Sequence, residues 1–173
     1  MTTEPGNALW DFSLRVYRQP GVAEACLRLQ DRDGADVNLV LCFCWLASWR
    51  DKPLEVAEVE AIIHETADWR DGVVRPLRAV RRRMKEAFHA VPSILSEPLR
   101  SEIKRAELES ERVQQTVLFE RVAGAPVTAI AADLAAGNAM ANIDCYFNSI
   151  GARPGENRRI DCETVIAAAF PSA

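Results

Sequence analysis

The densest concentration of functional groups lies between residues 70 and 85, where Arg70, Arg75, Arg78, Arg81, Arg82, Arg83 and Lys85 are opposed only by Asp71. That window carries a net charge of plus six inside a chain of minus four, so the remainder carries minus ten. On a helical wheel Arg75, Arg78, Arg82 and Lys85 fall opposite Val73, Leu77, Val80 and Met84, which predicts an amphipathic helix with a concentrated cationic face. Such a face can hold phosphate, nucleic acid or an acidic partner. The same pattern arises in a solvated helix laced with ion pairs, and Glu97, Glu102, Glu107, Glu109 and Glu111 could supply the partners. Solvated charged faces outnumber functional ones, so ion pairing is the default and an anion site the alternative. A pI near 5.3 and the lack of interleaved aromatics argue against a dedicated nucleic-acid binder.

Other chemistries are thinner. Glu86 and His89 form one Glu-x-x-His, and Glu60, His64 and Asp68 sit four apart, but a carboxylate-bridged di-iron bundle needs two such motifs and two further glutamates. The chain has two histidines, too few for most three-histidine zinc sites. His64 and His89 read as surface or capping residues. Residues 31–38 place acids somewhat as a calcium loop does, yet the glycine is misplaced and the twelfth position would be Cys42, which cannot supply a bidentate carboxylate. No serine lies in a G-x-S-x-G context, and no cysteine has an electropositive, polar neighbourhood. Five cysteines, mostly in apolar stretches, read as free buried thiols. Cys42 and Cys44 would diverge by about 200° on a helix, too far to share one metal. No metal or cofactor is expected. Asn38 is different in kind. It lies either on an exposed first turn or as a buried amide that a partner or ligand must satisfy.

The elements that must position these groups read as helices. Val37 to Trp49 is apolar on every side except Asn38 and Ser48, so a helix there must be wrapped by others. Its 13 residues fall short of the roughly 20 that a spanning helix needs. Asn7 can cap a first helix, Ala8 to Tyr17, with Leu9, Phe12 and Val16 inward, and a second buries Val22, Cys26 and Leu29 before stopping at Gly34. Asp36 caps the central helix. Leu54 to Ala67 puts Val56, Val59, Ile62 and Ile63 on one face of a fourth.

From Asp68 to Val122 the pattern is a long antiparallel hairpin. One arm's seam is Val73, Leu77, Val80, Met84, Ala87 and Val91, with Pro76 starting or kinking it. The connection holds His89, Pro92 and Ser93, and Ser96 with Pro98 opens the other arm. Its seam is Leu99, Ile103, Ala106, Ser110, Val113 and Val117. The Ala-rich tail, 123–173, reads as two short helices broken near Gly137 and capped by Gly151, then a last helix from Asp161 to Phe170. The fold class is all-α, a helical bundle in one domain of residues 1–173, long enough to bury roughly two-thirds of its unfolded surface. The N-terminus does not read as a secretory signal, and with no membrane span expected the cytoplasm is the expected location.

Trp10-Asp11-Phe12, Tyr17, Pro20-Gly21-Val22, Leu27, Leu29-Gln30-Asp31, Gly34, Asp36-Val37-Asn38-Leu39, Trp45, Trp69, and Val74-Arg75-Pro76-Leu77-Arg78 with Arg81 form one string. In it, residues 9–111 resemble an uncharacterised proteobacterial family of small helical proteins, a domain of unknown function. The resemblance implies a bacterial, soluble, all-helical protein and brings no activity, cofactor or catalytic residue. The absence of an assembled catalytic set, beside a polarised charge surface, favours a non-enzymatic interaction or adaptor protein. It would bind an acidic partner or anionic ligand through the Arg face, with Arg75, Arg78, Arg81, Arg82 and Lys85 as candidates. The alternative is an enzyme or small-ligand binder whose inter-helix pocket grips an anion with Arg75, Arg78 and Arg81, with Trp45 or Trp69 lining its wall; Asn38 is a further binding candidate. Oligomeric state leaves no mark in the sequence.

Overall fold

A computed structural model describes residues 7–86, 88–122 and 130–171. Helix α1 (Ala8–Tyr17) begins where the Asn7 side chain accepts a hydrogen bond from the Trp10 N–H at 3.0 Å, satisfying an orphan donor of the first turn. Gly21 and Gly34, at φ 79° and 69°, bracket α2 (Val22–Asp33) in the left-handed conformation that glycine adopts without strain. Asp36 then caps α3 (Val37–Ala47), accepting from the Asn38 N–H at 2.9 Å.

Helix α3 is the centre of the bundle. All its residues are buried except Trp45, which is half-buried against Trp49 and Phe119. A helix that is apolar all round has no face to give to water, so α1, α2, α7 (Ser93–Val122), α8 (Ala132–Ser149) and α9 (Glu156–Ala169) all pack on it, α8 most extensively. Helix α4 (Val56–Glu65) buries Val59 and Ile62 and packs on α8, but Val56, expected on the same face, is exposed at the helix start.

The Ala-rich tail belongs to the core. Its expected break at Gly137 does not occur, and α8 runs unbroken through that residue. Gly137 is exposed, while Ala135, Ala139, Ile143, Tyr146 and Phe147 pack inward, which outweighs the ~1 kcal/mol propensity cost of a helical glycine. Asn138 donates to the Arg50 carbonyl at 2.9 Å, and Asn142 Oδ1 accepts from the Leu54 N–H at 2.7 Å, so α8 fastens the loop between α3 and α4. Helix α9 begins at Glu156, earlier than Asp161, and its Asp161 carboxylate receives Arg28 and Arg32 of α2. Gly151, at φ 69°, stands past the end of α8 as expected.

The hairpin forms with its seam in a different phase. A short helix α5 (Ala67–Trp69) widens into a π-helical turn, Arg70–Val74, in which the Arg75 N–H bonds the Arg70 carbonyl, before α6 (Arg75–Arg83) resumes. Pro76 sits in the first turn of α6, directly after the π turn. A π turn adds a residue and so rotates everything after it. Val74 is therefore buried and Arg78 and Arg81 turn toward α7, while Val80 is exposed. On α7 the buried residues are Glu107, Ser110, Gln114, Gln115 and Leu118, whereas Leu99, Val113 and Val117 of the expected seam are exposed. Helix α7 starts at Ser93 with Pro98 inside it. The arms are antiparallel, since Trp69 meets Ser110 and Arg81 meets Glu107. Ala87, expected on the first arm's seam, and residues 123–129 of the tail lie outside the described residues. Among the described residues no helix is long and apolar enough to cross a membrane.

Because Leu39 is wholly inaccessible and surrounded, Leu39→Ala should lower unfolding free energy in urea by about 2 to 5 kcal/mol. Val56→Ala, at an exposed site, should change it by less than about 0.5 kcal/mol.

Candidate functional site

The buried face of α7 meets the start of α3 through side-chain amides. Gln114 Nε2 donates to Asp36 Oδ2 at 2.6 Å and to Thr66 Oγ1 at 3.3 Å, while its Oε1 accepts from Asn38 Nδ2 at 2.8 Å. Asn38 Oδ1 in turn accepts from Gln115 Nε2 at 2.9 Å. The Asp36 N–H donates to the Tyr146 hydroxyl oxygen at 2.8 Å, tying α8 to the same point. Asn38 is thus the buried amide of its two sequence readings, and its side chain is satisfied from α7. Hydrogen bonds between buried amides are directional and favour one register between helices.

One turn toward the hairpin tip, the seam becomes ionic. Arg78 donates to Glu107 at 3.0 Å and to Glu111 at 2.5 Å, and Arg81 donates to both Glu107 oxygens. Burial would raise the Glu107 carboxyl, but hydrogen bonds from Arg81 and Arg78 outweigh it and hold it below 4.5. At Glu111 burial prevails over Arg78 and the carboxyl lies above 4.5.

These groups form one wall of a cleft of about 300 Å³. Trp10, Ser13, Leu14 and Tyr17 of α1 face it, with Leu27 and Gln30 of α2 and Val37, Asn38 and Leu41 of α3. Helix α6 contributes Arg78, Arg81 and Arg82, and α7 contributes Lys104, Glu107, Leu108, Glu111 and Gln115. Two lining side chains hold buried polar atoms with no hydrogen-bond partner, Ser13 Oγ and Gln115 Oε1, in residues 4% and 1% exposed. Trp49 Nε1 and Arg100 Nε, away from this cleft, share that condition, and each is a group for which a native protein ordinarily supplies a partner or an ordered water. Ser13 has no base beside it and is not an activated nucleophile. Burial pushes the thiols of Cys26, Cys42 and Cys162 up to about 12, and Cys44 further, which keeps them from acting as thiolates. Among the described residues no three His, Cys, Asp or Glu side chains gather to hold a metal ion.

Of the residues singled out in the sequence, Asn38, Arg78, Arg81 and Arg82 come together at the cleft. Arg75, Lys85, Trp45 and Trp69 do not line it. Arg75 donates to Asp71 and to the Gly34 carbonyl, Trp69 Nε1 donates to the Ser110 carbonyl at 2.9 Å, and Trp45 packs in the aromatic core. The cationic face is not an open patch. Arg70 also meets Asp71, Arg82 meets Asp31, Arg83 meets Glu86, and only Lys85 of the seven cations stands without an acidic partner among the described residues. Arg75 and Arg78, named above as candidates for gripping an anion, are both paired with carboxylates of the chain itself. Sequence reasoning missed Trp10, Ser13, Tyr17 and Gln115. The Glu107, Glu111, Gln114, Leu118 spacing repeats the apolar seam's period one residue out of step, which was the available signal.

The two carboxylates oppose each other in pH. The Glu107 pairing adds stability above pH 4.5 that disappears as pH falls through its lowered native value. Glu111 has the opposite sign, its stabilising difference full at acid pH and lost as pH rises from 4.5 through its raised value. Glu107→Gln should therefore cost about 1.5 to 3 kcal/mol at pH 7 and flatten the acid limb of the stability curve. Glu111→Gln should cost less and remove the decline above pH 4.5. Urea unfolding between pH 3 and 8, on the order of the range where native carboxylates titrate, measures both.

No curated protein and no solved structure matches the chain. One family does, described as protein of unknown function (DUF2390), across residues 8–118. That span runs from α1 to the last buried residue of α7 and includes every residue lining the cleft. The chain belongs to this family of unknown function, with the cleft wholly inside the shared part.

Proposed function

We propose that the protein is a non-enzymatic binder of a small amphipathic molecule, held in the cleft between α1, α3, α6 and α7. The observation that carries this reading is the mixed lining of the cleft, in which Trp10, Leu14, Leu41 and Leu108 stand beside Asn38, Gln115, Arg78, Arg81 and Lys104. Apolar lining with a few placed polar groups is the usual composition of a small-molecule site. An acidic partner docking on the Arg face has less in its favour, because most of that face already meets carboxylates of the chain itself. Free, buried cysteines fit a reducing compartment, and we place the protein in a bacterial cytoplasm.

Titration of 15N-labelled protein with 2-naphthol, 2-methoxynaphthalene and 2-naphthoate tests the reading. At least one probe should shift the resonances of Trp10, Ser13, Leu41 and Gln115 saturably. Leu108→Trp, which places bulk at an exposed position on the rim, should abolish those shifts while leaving the rest of the spectrum in place. Absence of saturable shifts with all three probes, or shifts unchanged in Leu108→Trp, would remove the cleft as a binding site.

A further inference from the structure

The charges that line the cleft do not cancel. Four cations and two carboxylates line it, and Arg78 and Arg81 are already engaged by Glu107 and Glu111 in the seam. Arg82 turns to Asp31 in a solvent-exposed pair. Lys104 has no acidic partner among the described residues, since Glu107, a turn further along α7, is taken by the two arginines. One positive charge is left over at the cleft.

The helix registers place that charge at one end. Arg81 meets Glu107, so Arg82 and Lys104, each the next lining residue toward the hairpin tip, stand at the same level. The other end is apolar. Asn7 Nδ2 donates to Thr116 Oγ1 at 3.3 Å, which sets the start of α1, with Trp10, near Gln115. Helix α3 runs beside α7 in the same direction, Asn38 meeting Gln115 and Trp45 packing on Phe119, and so carries Leu41 to that end as well. Lys104 and Gln115 are about 16 Å apart along α7, a span that a naphthalene carboxylate and the reach of a lysine side chain cover between them.

Resting on the ligand-binding reading above, we infer that the molecule held in the cleft is an apolar monoanion, its carboxylate at Lys104 and its hydrocarbon body against Trp10, Leu14 and Leu41. A single unmatched cation complements a single negative charge. A dianionic phosphate needs a second cation, which Arg82 supplies only by leaving Asp31. A cationic ligand meets Lys104 as a like charge, and a neutral one leaves it to water.

At pH 7, where 2-naphthol is neutral and 2-naphthoate a monoanion, 2-naphthoate should bind about fivefold tighter than 2-naphthol or 2-methoxynaphthalene at low salt. The margin should close in about 0.5 M NaCl, because solvent reaches the lysine. Lys104→Met keeps the apolar stem at an exposed position and should bring 2-naphthoate to the affinity of the ether or below it, while the ether binds as before. Lys85→Met, which removes a cation outside the cleft, should leave the preference intact. A naphthoate preference that survives Lys104→Met, or is lost equally in Lys85→Met, would overturn the inference. So would equal affinities for all three probes at low salt, or tighter binding of 2-naphthyl phosphate than of 2-naphthoate. Failure of every probe to bind would remove the cleft as a binding site and the inference with it.

Discussion

The hydrogen bond from Gln114 to Asp36 holds the two halves of this fold in register. Asp36 is 6% exposed and caps the central helix with one carboxylate oxygen while receiving α7 with the other. Its backbone N–H reaches Tyr146 on α8, and Gln114 also touches Thr66 where α4 passes into α5. The Asp36–Gln114 pair thereby joins four segments far apart in sequence. Apolar packing around α3 is non-directional and would tolerate α7 shifted by a residue or a turn. Paired amides would not, because each slip leaves donors and acceptors without water or partners.

That registry shapes everything on the seam between α6 and α7. With Gln114 fixed over Asp36, the next inward positions of α7 toward the hairpin tip are Glu111 and Glu107, and the π turn at Arg70–Val74 rotates Arg78 and Arg81 to meet them. The seam of the hairpin is consequently polar, and apolar side chains such as Val80 and Leu99 face outward. The space between this polar seam and the apolar faces of α1 and α3 is the cleft. A mixed wall of that kind is what two dissimilar surfaces produce where they diverge.

Much of the bundle was legible because strong local signals agree. The all-round apolarity of Val37 to Ala47, the Asn7 and Asp36 caps and the glycines at 21, 34 and 151 all act through their own immediate neighbourhoods. The hairpin was legible as a hairpin but not in phase. Its apolar residues repeat at spacings of four and three just as the buried polar ones do, and nothing local distinguishes Glu107 paired in a seam from Glu107 in water. The π turn, which decides between the phases, carries no local mark in the sequence beyond the proline that follows it. Gly137 misled for a related reason, since a helix break depends on whether the opposite face is held, and here α3 holds it. The cleft was the least legible part. It draws on five helices, and Ser13 and Gln115 become unusual only once burial has removed their water.

The most direct test of Asp36 and Gln114 as the organising contact is Gln114→Glu, which is close to isosteric and replaces the donor facing Asp36 by an acceptor. Two carboxylates forced together raise the pKa of the pair, so stability should fall as pH rises above the ordinary carboxylate range and return as pH drops. Urea unfolding should show a loss on the order of 3 to 5 kcal/mol at pH 7 that shrinks steadily toward pH 5, with Gln115→Glu and Glu109→Gln as reference variants. A loss below about 1 kcal/mol, independent of pH, would mean that Gln114 does not donate to Asp36 and that packing alone sets the register.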